Sequence, residues 1–200
     1  MIEHMPTRPN THLLHLRTML LAGMILLAAL SRLLPHPPNF SPVQAMALFA
    51  GAWFARRQLA LLVPLLAMLL SDVLLGLLHG GIYFDYFVSA GFWLVYLAMA
   101  ACAALGFALR GRASAPRVLG YALGSSLLFF VITNFGAWLA DIASAAPIYA
   151  PTLSGLAAAY IAGIPFLQNT IAGALLFSAM LFGGFALLRR RIPALRAQTA

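Results

Sequence analysis

Apolar residues dominate five long stretches of this chain, roughly residues 18–34, 58–79, 87–109, 118–140 and 164–188. At about 1.5 Å of rise per residue, each is long enough as a helix to cross about 30 Å of hydrocarbon. A shorter apolar stretch, residues 43–55, lies between the first two, and whether it crosses decides the topology. If it does not, Arg56, Arg57, Arg110, Arg112 and Arg117 fall on the face opposite the arginine-rich N-terminal segment. If it does, Arg8, Arg17, Arg56, Arg57, Arg110, Arg112, Arg117, Arg189, Arg190, Arg191 and Arg196 all share one face. Short basic loops stay on the cytoplasmic side. The pattern therefore predicts six transmembrane helices with both termini cytoplasmic. The second would span only roughly 20 Å, which neighbouring helices or local bilayer thinning can cover.

The expected fold class is all-α, a polytopic membrane protein. Residues 1–17 form a cytoplasmic N-terminal segment, 18–190 a single six-helix transmembrane domain with a short second segment, and 191–200 a cytoplasmic tail. The basic flank followed by the apolar run 19–30 also resembles a secretory signal peptide. Arg32 directly after the run and the proline-rich sequence beyond it make a poor cleavage region, so the segment is expected to be retained.

Composition agrees. Apolar residues make up 63% of the chain and charged ones 8%, against about 45–50% and about 25% in soluble domains. Sixteen charged side chains cannot cover a water-soluble surface of this size, which excludes a soluble enzyme. The pI near 10.8 would suit a nucleic-acid binder, but the arginines sit in clusters between apolar runs rather than along one folded face. No nucleic-acid partner is expected. A lone Cys102 forms no internal disulfide and no multi-cysteine metal site, and neither a cofactor nor a metal is expected.

With this topology the polar residues sort by depth. Arg32 lies at the outer end of the first helix, Asp72 about two turns below the outer end of the third, and Asn134 at a similar depth in the fifth. Gln168, Asn169 and Thr170 fall just inside the outer start of the sixth. The external connections add His36, Asn39, Ser41 and Gln44, then His79, Tyr83, Asp85 and Tyr86, then Asp141, Tyr149, Thr152 and Tyr160. The arrangement predicts a polar pocket open to the outer face. Prolines 35, 37, 38 and 42 stiffen its first loop into a wall.

Asp72 most needs explaining, because an acid at the centre of a membrane helix costs about 2.5–3.5 kcal/mol on insertion scales. Arg32, the one basic residue outside the cytoplasmic clusters, lies within side-chain reach. The pair either holds two helices together or lines a substrate site. Asn134, Gln168 and Asn169 have the same two readings, as interhelical hydrogen-bonding groups or as ligand contacts. Trp138 lies one turn above Asn134, so a ring and an amide would face the same way, as a planar ligand needs. Trp53, Trp93 and Tyr96 read as interface anchors or lipid-facing packing. Small residues recur at helix-contact spacing in Ala47 to Gly51, Gly120 to Gly124 and Gly173 to Ala174, which predicts close helix packing there.

Three blocks carry a resemblance: RLLPHPPNFSPVQAMALFAG at residues 32–51, ITNFGAWLA at 132–140 and YIAGIPFLQNTIAGALLF at 160–177. They resemble the signature blocks of a family of functionally uncharacterised bacterial inner-membrane proteins, whose layout is similar to the substrate-binding S components of energy-coupling-factor (ECF) transporters. Where that family is expected to carry an acid after the glycine of the last block, this chain has Ala174. The resemblance implies a subunit that takes up a vitamin-like small molecule from the outer face beside an ATPase-driven transporter module. Its ligand contacts would be Arg32, His36, Asn39, Gln44, Asp72, Asn134, Trp138, Gln168 and Asn169. The chain has no GxxxxGKS phosphate loop, so ATP hydrolysis would belong to another subunit. The alternatives are a non-transporting scaffold or assembly factor, to which a polar outer pocket would be surplus, and an intramembrane enzyme. For an enzyme the case is thin, since Asp72 and Asp141 lie in no HExxH or GxSxG context.

Overall fold

The computed structural model describes residues 11–80, 84, 87, 89–192 and 195. Tyr83, Asp85 and Tyr86 lie outside them. The helices are α1 (Thr11–Leu30, ending in the 3-10 turn Ser31–Leu33), α2 (Val43–Trp53), α3 (Arg57–His79), α4 (Ala90–Gly106, ending in the 3-10 turn Phe107–Leu109), α5 (Ala115–Ile142) and α6 (Leu153–Ser178). A π-helical stretch, Ala179–Gly183, carries α6 on into α7 (Gly184–Arg191). Five continuous helical runs are long and apolar enough to cross a membrane, the last of them Leu153–Arg191, and α2 is shorter. The described residues include no strand. This is a polytopic helical membrane protein. Leu27, Leu62, Leu66, Leu77, Leu119 and Leu127 are exposed on the outer faces of α1, α3 and α5. That is the surface a hydrocarbon solvent calls for and water would not tolerate.

Several boundaries differ from those the sequence predicts, three of them instructively. Helix α1 starts at Thr11 rather than near residue 18. Helix α4 starts at Ala90 rather than near 87, because Ser89 caps it, its Oγ accepting from Phe92 N at 3.2 Å. The largest shift is at α6, which begins at Leu153 and not near residue 164. Thr152 caps this helix, its Oγ1 accepting from Gly155 N at 3.2 Å, and the small-residue run that follows is helical. Pro165, whose position in the sequence suits either a kink or a helix start, sits inside α6. Tyr160 is therefore not a loop residue; its hydroxyl donates to Val131 O at 2.8 Å and ties α6 to α5.

The short helix α2 sits at the centre. Its residues 43–52 are all buried, and it packs against α1, α3, α4, α5 and α6. Eleven residues rise only about 16 Å, but a helix jacketed by protein on every side makes no mismatch with lipid. Close approach is possible because two glycines meet. A Cβ on Gly51 would collide with the Ala103 carbonyl of α4, and one on Gly106 with the Leu48 carbonyl of α2. The two helices thus cross backbone against backbone, the contact that small-residue spacing permits. Gly120 and Gly124 carry the same spacing, yet a Cβ on either would meet nothing within 4 Å. They face outward on α5, and the close packing expected there is absent.

The ends of α2 define two poles. Its last carbonyls have no partner within the helix, and arginines supply one. Arg110 donates from Nε to Gly51 O and from Nη2 to Phe54 O, both at 2.9 Å, and Arg17 Nη2 donates to Trp53 O at 3.2 Å. Cations at the negative end of a helix dipole are favourable. Burial and the neighbouring Arg57 lower the Arg110 pKa from its ordinary value, and a guanidinium stays charged through such a shift. Arg189 stacks over Trp53 and Arg57 over Phe107. The N-terminal end of α2 opens on a cavity.

Candidate functional site

The cavity, of about 640 Å³, lies among the N-terminal end of α2, the 3-10 turn after α1, the α1–α2 connection, and α3, α4, α5 and α6. That volume is within the range of small-molecule pockets, roughly 300–1,000 Å³. One wall is the connection itself, exposed over residues 34–39 and drawn against the bundle at residues 40–42. Asn169 Nδ2 donates to Pro38 O at 3.0 Å, the Phe40 ring packs on Phe177, and Gly173 has no side chain to keep the Ser41 backbone off α6. Asn39 has a positive φ of 61°, a conformation asparagine tolerates better than other L residues.

Arg32 and Asp72 face each other on the next wall. Arg32 Nη1 is 2.6 Å from Asp72 Oδ1 and donates to Ser71 Oγ at 2.5 Å. The Tyr96 hydroxyl donates to Asp72 Oδ2 at 2.7 Å, so both carboxylate oxygens are engaged. Ser71 Oγ in turn donates to Met68 O at 2.8 Å. Asp72 is 8% exposed. A buried charge so paired and hydrogen-bonded avoids most of its desolvation cost, whereas either partner alone would not. Ser71 and Asp72 do not bond each other; Arg32 reaches both.

Six of the nine residues proposed from the sequence line the cavity: Arg32, His36, Asn39, Gln44, Asp72 and Asn134. Asn134 also folds back on its own helix, donating from Nδ2 to Phe130 O at 2.9 Å, with its Oδ1 over Gly163. The other three lie elsewhere. Trp138 points to the α5–α6 loop, its Nε1 donating to Ala150 O at 3.1 Å. Residues four apart on a helix are offset by about 40°, and here that offset separates Trp138 from the cavity. Gln168 is exposed on α6. Asn169 acts on the cavity through the loop it holds. Gln168 and Asn169 were placed by depth, which does not fix rotation about the helix axis, and Trp138 by its one-turn spacing from Asn134, which leaves that offset. Asp141 is committed to the α5–α6 loop, accepting from Ile148 N and Tyr149 N.

The sequence reading missed Phe92, Tyr96, Phe129 and Thr133 as lining residues, and left Thr170 out of the proposed contacts. Tyr96 was legible in principle. Asp72 lies two turns before the end of α3 and Tyr96 nearly two turns after the start of α4, so the hairpin sets them at one depth. Gln44, on the first turn of α2, is 1% exposed, and its Oε1 has no hydrogen-bond partner. Among the described residues no three histidine, cysteine, aspartate or glutamate side chains cluster as a metal site would require.

Fold and cavity together define a multi-pass helical membrane protein with a chamber of mixed polar and apolar lining beside a buried central helix. More particularly, the chain belongs to a family of unknown function, DUF6580, whose model matches residues 13–195. No curated protein and no solved structure matches it.

Proposed function

We propose that this protein is a substrate-binding membrane subunit for uptake of a small molecule, similar in layout to ECF S components, acting in a bacterial inner membrane. The arginine-rich pole and both termini are cytoplasmic, and the cavity is reached from outside. The observation that carries this reading is the chamber itself: about 640 Å³, with a charge pair and an amide on its walls, in a bundle whose central helix is otherwise sealed. A scaffold has no use for such a space. Energy for transport comes from an ATPase-driven module supplied by other subunits.

Mass spectrometry of gently purified protein tests the binding step. A small molecule is expected to co-purify with the wild type and to be lost from Ala137→Trp, which fills the cavity from its α5 wall. If nothing co-purifies, and no compound from a cell extract is retained by the wild type over Ala137→Trp, the reading is wrong.

Orientation has its own test. Arg57 is exposed and the one native thiol, Cys102, is buried, so an Arg57→Cys variant carries one reactive site. A membrane-impermeant maleimide is expected to label it only after the cells are opened. Labelling of intact cells would invert the proposed topology.

A further inference from the structure

A second hollow lies on the outside of the bundle, at the arginine-rich pole and away from the chamber. It is a groove of about 430 Å³ between α4 and α5, lined by Leu105, Arg117, Gly120, Tyr121, Gly124 and Leu128. The α5 positions recur at three- and four-residue steps, which sets them on one face. A Cβ on Gly120 or Gly124 would meet nothing within 4 Å, so the floor of the groove is low and unfilled.

Charge is confined to one end of it. Helix α5 has 28 residues and a length of about 42 Å, which overruns about 30 Å of hydrocarbon and brings its first turn, with Arg117, to headgroup level. Ser114 gives that end no side-chain cap, and the positive end of the helix dipole is open to an anion. Arg110 is taken up in capping α2 and, with Arg57, lies over Phe107. Arg117 is exposed and makes no hydrogen bond, ion pair or ring contact with any described residue. From Arg117 to Leu128 the groove runs about 16 Å, close to half the hydrocarbon thickness.

A second copy of the chain does not suit this surface. Copies inserted with one topology pair about a two-fold axis normal to the membrane, so α5 would meet a parallel α5 and Arg117 would approach its own mate. No acid among the described residues relieves that repulsion, since Asp72 and Asp141 lie toward the opposite ends of α3 and α5. A phospholipid has the complementary layout, a phosphate at headgroup level and an acyl chain one leaflet deep. We propose that the groove holds one anionic glycerophospholipid, its phosphate on Arg117 and the first turn of α5 and one acyl chain laid over Gly120 and Gly124. Basic pockets between transmembrane helices hold anionic headgroups in this way.

Native mass spectrometry tests the site on the full chain, extracted in mild detergent from vesicles of phosphatidylglycerol and phosphatidylethanolamine in equal amounts. The wild type is expected to keep one phosphatidylglycerol in preference to phosphatidylethanolamine. Arg117→Gln should cut that preference about fivefold, the worth of one basic residue at a membrane surface, whereas Arg56→Gln, exposed at the same pole, should leave it unchanged. Gly124→Phe fills the groove and should abolish retention while the Tm in lipid-free detergent stays at the wild-type value. Gly124→Leu serves if the phenylalanine variant does not assemble. Equal losses in the Arg117 and Arg56 variants would reduce the effect to diffuse attraction by the arginine pole and overturn the site. So would a wild type that keeps both lipids alike or neither, or undiminished retention in the folded Gly124 variant. A dimer mass in the wild type that is absent from Gly124→Phe would give the groove to a second copy instead.

Discussion

Asp72→Ala is expected to cut the yield of folded protein sharply and to lower its stability in detergent by about 3–5 kcal/mol, the usual cost of stripping one partner from a buried ion pair. The variant strands the Arg32 guanidinium against Ser71 and leaves the Tyr96 hydroxyl without its acceptor. A double variant, Arg32→Met with Asp72→Leu, should recover much of the loss, since it removes both charges and keeps the volume. Tyr96→Phe should cost less, about 1.5–3 kcal/mol for a hydrogen bond to a charged group. Thermal unfolding of the four proteins in one detergent reads the series. A double variant no better than Asp72→Ala would mean that the pair is not the source of the instability. The same double variant separates structure from function. If it folds but no longer holds the co-purifying molecule, the pair belongs to the binding site; if retention is normal, the pair only joins α1 to α3.

Gly106→Val should be nearly as damaging. Its Cβ would lie on the Leu48 carbonyl and against Gly51 Cα, so the obstacle is backbone, which cannot rotate away as a side chain can. Helix α4 must then move off α2. The cost of overpacking, about 1–3 kcal/mol in well-packed cores and sometimes more, is compounded because Arg110, a few residues on, caps α2 and would be carried away with it. Gly120→Val is the matched control. It has the same chemistry and sits in the same kind of small-residue spacing, but in open space, and the change should stay within about 0.5 kcal/mol. Equal Tm values for the two valine variants would contradict the backbone-on-backbone crossing.

The contrast between Gly106 and Gly120 marks where sequence reading stops. Both glycines sit in apolar helices, and spacing alone favoured the wrong one: Gly120 with Gly124 has the familiar motif, whereas Gly51 and Gly106 are far apart in the chain. The pairing of α2 with α4 is a long-range contact: the Ala47 to Gly51 spacing marks the α2 side of it, but no local pattern marks Gly106 as the partner. The same holds for the cavity. Arg32 with Asp72 was legible because a charge in hydrocarbon demands a partner and only one candidate was at the right depth. Trp138, Gln168 and Asn169 lie outside the cavity lining, and Tyr96 was passed over, because an apolar helix gives few signs of which face turns inward. A soluble helix announces its buried stripe by contrast with a wet face. In α4 or α5 lipid-facing and core-facing positions are both apolar.

The sequence by itself therefore determined the membrane class, the approximate spans, the clustering of arginines and the existence of one compensated charge pair. Each of these follows from transfer free energies that add residue by residue. Tertiary structure decided that the shortest helix is the central one, that a proline-rich loop walls one side of the cavity, and which faces of α4, α5 and α6 line the chamber. Those outcomes depend on helix rotation and on backbone contacts between distant segments. In a solvent as apolar as the side chains themselves, they are settled by packing and hydrogen bonding between helices and not by hydrophobicity.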